Sequence, residues 1–190
     1  MYICNVNPML HYLKLMLQLV LSPKKGWEDI AQGADPSRRT LLHGLLPMIG
    51  MVSLTVFLGA FYELRPTFGG LLVKAVVAFA QYAITYFIGV TVLSSALPRL
   101  SEGVPVGRET IEVFCAYIVG LMATIGVLEN LLPMDLSLLH FLPIYAIAVM
   151  CMGRQYLKVD ERNLFRFAAV ATVSLILPVF VVARLIGSAV

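Results

Sequence analysis

The chain has 190 residues, 59% of them hydrophobic and 13% charged, with a formal net charge of +3 and a mean hydropathy of +0.87. A soluble domain carries about a quarter charged residues, so this composition argues against a water-soluble globule, a disordered chain and a nucleic-acid binder. What remains is a small all-α, polytopic membrane protein, because a backbone in lipid must satisfy its own hydrogen bonds.

The first ten residues hold no Lys or Arg, whereas a secretory signal needs a basic stretch ahead of its apolar run. The N-terminal segment is therefore expected to be retained. Residues 8–21 are too short to span. As a short amphipathic helix they place His11, Lys14 and Gln18 on one face, the pattern of a helix lying in the membrane interface or packed under a bundle. Ser22 and Pro23 suit the cap and first turn of a second helix. On it, Trp27 is expected at headgroup level, with Lys24 and Lys25 meeting anionic lipid. A partner-docking surface is the alternative there. Arg38 and Arg39 mark the edge of the first span. Residues 1–39 thus read as a cytoplasmic amphipathic segment and 40–190 as a transmembrane domain.

Five stretches carry the roughly 20 apolar residues of a membrane span: 41–61, 71–97, 111–132, 136–153 and 164–187. The turn Pro133-Met134-Asp135 makes spans three and four antiparallel neighbours. Eleven of the 14 Lys and Arg fall on one side, namely Lys14, Lys24, Lys25, Arg38, Arg39, Arg99, Arg108, Arg154, Lys158, Arg162 and Arg166. Arg65, Lys74 and Arg184 fall on the other. Positive charge stays inside, so the N-terminus is expected in the cytoplasm and the C-terminus opposite. A bacterial inner membrane is the expected location.

An ionisable group deep in a bilayer is a functional signal, and none is expected at midplane. Glu112 and Glu129 are 17 residues apart, near opposite ends of span three. His43, Lys74, His140 and Arg184 all lie near span ends. The middle holds Gln81, Tyr82, Tyr86, Tyr117, Thr124 and Ser174. No H-E-x-x-H, G-x-S-x-G or P-loop pattern occurs. Cys4, Cys115 and Cys151 are too widely spaced for a metal or disulfide framework. No catalytic residue, metal or cofactor is expected. Ala116, Gly120 and Thr124 form a small-residue stripe that should pack against another helix, within the bundle or in a homo-oligomer. Pro47, Pro143 and Pro178 should kink their helices.

The segment Leu21-Ser22-Pro23 with Trp27-x-x-Ile30 precedes these spans. Pro47 follows in span one, Phe114-Cys115-Ala116-Tyr117 in span three, and the linker Lys158-Val159-Asp160-Glu161-Arg162 precedes the last span. This arrangement resembles the bacterial branch of the Yip family, the Ypt/Rab-GTPase-interacting proteins, over nearly the whole chain. Ala116 stands where eukaryotic members carry the Gly of a Gly-Tyr pair, and their Asp-Leu-Tyr-Gly-Pro motif is absent. The resemblance implies a non-catalytic membrane scaffold or adaptor, with a basic cytoplasmic face for membrane lipids, anionic headgroups above all, or for a protein partner. The alternative is a small transporter or channel for lipid or apolar solute, with a cavity lined by Gln81, Tyr86, Tyr117 and Thr124.

Overall fold

The computed structural model describes residues 8–33, 35–62, 67–101, 105–132 and 141–187, with residues 186 and 187 described by backbone alone. The described chain is helical, with no strand among these residues. A hairpin of α1 (Pro8–Leu21) and α2 (Pro23–Gly33) is followed by α3 (Ser37–Phe61), α4 (Phe68–Leu100), α5 (Arg108–Leu131) and α6 (Leu142–Met152). The last helical run is split into α7 (Leu164–Leu175) and α8 (Leu177–Gly187).

Among the described residues, four stretches are long and apolar enough to cross a bilayer: α3, α4, α5 and Glu161–Leu185, which joins α7 to α8. Five were expected. Helix α6 has 11 residues, roughly 16 Å at helical rise, against a hydrocarbon core of ~30 Å. Residues 133–140, with Pro133, Met134, Asp135 and His140, lie outside the described chain, as do Cys4 and Arg65.

Helix α5 is the axis of the bundle. Its most apolar stretch is 83% buried, against 28–39% for the other three spans, and α1, α3, α4, α6 and α7 all pack on it. Phe114, Cys115, Ile118, Val119 and Ala123 are sealed from solvent. The surrounding helices turn large apolar side chains outward, among them Leu54, Val76, Phe87 and Val173. A protein solvated by lipid has no reason to hide such groups.

The prolines act in three different ways. Pro47 follows a π-helical turn at Leu41–Leu45. A proline ring crowds the carbonyl four residues back, here that of His43, and a widened turn relieves the clash. Pro178 follows an interruption at Ile176 that separates α7 from α8. Pro143, expected to kink a span, instead stands in the first turn of α6, where a missing N–H costs nothing.

Several chain ends gather at one end of the bundle. Asn163 Nδ2 donates to the Leu100 carbonyl at 3.2 Å and ties the start of the last span to the end of α4. Gly153, just past α6, lies against Phe114 near the start of α5. The chain therefore returns between Leu131 and Met152 to the end it left at Arg108.

Candidate functional site

The N-terminal hairpin is built into the bundle. Tyr12, Leu15, Met16 and Leu19 recur at i, i+3, i+4 and i+7 and are all buried. Tyr12 lies between two glycines: a Cβ on Gly44 would strike its ring, and one on Gly120 would strike its hydroxyl. That hydroxyl donates to the Ala116 carbonyl at 3.0 Å, and its ring stacks on Tyr117 with centroids 4.8 Å apart. Ala116 and Gly120 lie roughly 12 and 18 Å along α5 from Arg108. Helix α1 thus packs along the side of the central helix.

The expected polar face of α1 turns to carboxylates of its own chain. His11 Nε2 is 3.2 Å from Asp35, and Gln18 donates to Asp29. The outward face carries Leu10, Lys14, Leu17 and Leu21, so lipid contact falls on leucines with one lysine among them. Gly26 lets the hairpin close, since a Cβ there would come within 2.6 Å of the Leu19 Cα. The core of the hairpin is continuous with that of the spans, and residue 39 marks no packing boundary.

Trp27 is packed inside the protein rather than turned outward to lipid. It is 4% exposed, and its Nε1 donates to the Val149 carbonyl of α6 at 2.9 Å. Its ring stacks on Phe114 at 4.9 Å and on Tyr156 at 5.5 Å. Gly153 provides room, because a Cβ there would meet both Phe114 and Trp27 at 2.7 Å. A tryptophan buried this deeply needs a partner for its N–H, and a carbonyl in the last turn of α6 supplies one.

Beside Trp27 a groove of ≈ 610 Å³ opens between α2, the end of α6 and the start of α7. Lys24, Glu28 and Ala31 line it from α2. Ala148, Cys151 and Met152 line it from α6, and Arg154, Gln155, Tyr156 and Leu164 from the connection onward. The Arg154 guanidinium pairs with Glu161. Burial pushes the Tyr156 phenol up to about 12. A second groove of ≈ 470 Å³ lies on the other side of Tyr156, between Ile30, Asp35, Glu109, Thr110 and Lys158.

Of the six candidate binding residues, the structure brings Lys24 and Trp27 together in the first groove. Arg39 approaches Asp35 at 3.6 Å, while Lys14, Lys25 and Arg38 are exposed elsewhere. Among the packing residues, Ala116 and Gly120 receive α1, and half-buried Thr124 bonds back to the Gly120 carbonyl at 2.9 Å. Arg154 and Tyr156 were not singled out as site residues. Their signal was a Gly-Arg-Gln-Tyr run closing an apolar stretch, the pattern of an interfacial helix end. Among the described residues no three His, Cys, Asp or Glu side chains cluster as a metal site would require. Comparison with known proteins finds no matching family model, no matching curated protein and no matching solved structure.

Proposed function

We propose that this chain is a non-enzymatic integral membrane scaffold or adaptor of the Yip type, working through the basic end of its bundle. In this reading the apolar run of residues 136–153 is a fifth span. The end carrying Lys24, Arg38, Arg108 and Arg154 faces the cytoplasm, and the C-terminus lies on the opposite side of a bacterial inner membrane. The resemblance rests on the residues quoted above.

The observation that carries the proposal is the packed centre. A transporter or channel needs a path between helices lined by Gln81, Tyr86, Tyr117 and Thr124. Tyr117 is instead 2% exposed and Tyr86 5%, and Tyr117 lies against Tyr12 and Trp27. The open volume described above is at the edge, among charged side chains of both signs. This arrangement supports a protein whose business is at one face.

Charge reversal of Lys14, Lys25 and Arg38, all exposed, tests the reading without disturbing the core. Each cation near an anionic surface contributes about 1 kcal/mol. The triple Glu variant should insert and fold normally yet lose partner capture in cross-linked pull-downs from intact membranes. Unchanged capture and localisation would overturn the adaptor role. Deleting residues 1–21 is a poorer test, since it strips packing from α5.

A further inference from the structure

We infer that the groove between α2, the end of α6 and the start of α7 seats one anionic phospholipid, with its phosphate between Lys24 and Arg154. The inference deepens the proposed function and rests on reading this end of the bundle as a headgroup-facing surface.

The position of the groove in the bilayer comes first. Met152 closes α6 and Leu164 opens the final apolar run. The groove therefore lies where apolar helix gives way to polar connection, the depth at which headgroups meet hydrocarbon. Met152 is 42% exposed on its outer side, so the groove opens toward lipid. A chain can lie along Ala148 and Met152 while its head reaches the polar rim.

The charge pattern comes second. Lys24 is exposed and forms no ion pair among the described residues. Arg154 gives part of its guanidinium to Glu161, whose own side chain is 79% exposed. A guanidinium has five N–H donors in a fixed fork, so the pairing leaves donors for a phosphate and holds the head in place. Glu28 lines the same rim. With Glu161 paired to Arg154, the two cations and two carboxylates balance overall, so the phosphate is held by the Lys24 ammonium and the remaining Arg154 N–H donors, and Glu28 can accept from hydroxyls beyond the phosphate. A volume of ≈ 610 Å³ falls within the range of sites for small ligands. The Trp27 ring, fixed by its bond to Val149, forms a rigid floor.

Cys151 lines the groove and reports on its occupancy. The full chain is placed in nanodiscs of phosphatidylcholine, alone or with phosphatidylglycerol or phosphatidylethanolamine. Modification of Cys151 by N-ethylmaleimide, a neutral reagent, is followed on its own peptide by mass spectrometry. Phosphatidylglycerol should slow modification about tenfold, in keeping with two cations acting on one phosphate. Phosphatidylethanolamine, and millimolar inorganic phosphate in phosphatidylcholine discs, should not. Lys24→Gln should remove most of the protection and Glu161→Gln should preserve it. Arg154→Gln should remove it too, and its helical circular dichroism checks that it folds. Equal rates in all lipids, protection by phosphatidylethanolamine or by phosphate alone, or protection that survives Lys24→Gln would overturn the proposal. Partner capture by Lys24→Gln separates the two readings. Capture retained without protection removes the lipid seat alone, and protection retained in a chain that captures nothing removes the adaptor alone.

Discussion

At the scale of the residue, Tyr12 is the side chain on which most depends. It joins α1 to α5 by one hydrogen bond and one ring stack, and it fits because positions 44 and 120 lack a Cβ. Overpacking a filled core costs typically 1–3 kcal/mol, so Gly120→Ala should lower thermal stability in detergent by about that much. Tyr12→Phe alone should cost about 1 kcal/mol, the net worth of the bond to Ala116. Combined, the two should cost less than their sum, because the atom that collides with the new Cβ is the hydroxyl that Phe lacks. Strict additivity in that double-mutant cycle would show that Tyr12 does not occupy the Gly120 notch. The small stripe was legible in the sequence because Ala116 and Gly120 recur at helical spacing. Its occupant was not, because Tyr12 lies more than a hundred residues away and nothing local marks its contact.

At the scale of the element, the hairpin shows how far local pattern reaches. Spacing located both helices and the Pro23 start. It did not reveal that Trp27 would be buried, since a tryptophan after two lysines fits an interfacial anchor. What buries it are Phe114, Gly153 and Tyr156, which only the tertiary fold brings close. The polar face of α1 was likewise visible, but not that Asp29 and Asp35 would meet it. For the four long apolar helices of the described residues, the limits were legible to within a few residues from hydropathy alone. Trp27 is the sole tryptophan of the chain, so its fluorescence reports docking of α2. The Tyr156 phenol beside it is raised from 10 to about 12. A pKa raised in the folded state means that the neutral form is favoured there. Its contribution is complete below pH 10 and is lost as the pH climbs toward 12. Trp27 emission should therefore stay blue-shifted through neutral pH and move to the red between about pH 10 and 12. Tyr156→Phe should flatten that transition, and an unchanged red shift in that variant would place its cause elsewhere.

At the scale of the whole molecule, the hairpin completes a bundle that the spans alone leave open. The described apolar helices around the central one cover it only in part, and α1 and α2 close the remainder at the Ala116 and Gly120 notch and the Phe114 ring. Closure matters in lipid for a particular reason. Tails are as apolar as leucine, so helix association there depends on close packing, and an uncovered strip of small residues is an open invitation to another helix. Full-length chain should therefore be monomeric through this face, because α1 already fills it. A chain lacking residues 1–21 should self-associate through it. With the native cysteines replaced and Ala116→Cys introduced, oxidation in membranes should cross-link the truncated chain and leave the full-length chain uncross-linked. The full-length control also measures how firmly α1 is seated. Cross-linking there at a rate comparable to the truncated chain would mean that the hairpin leaves α5 often, and that the notch serves partners as readily as it serves Tyr12.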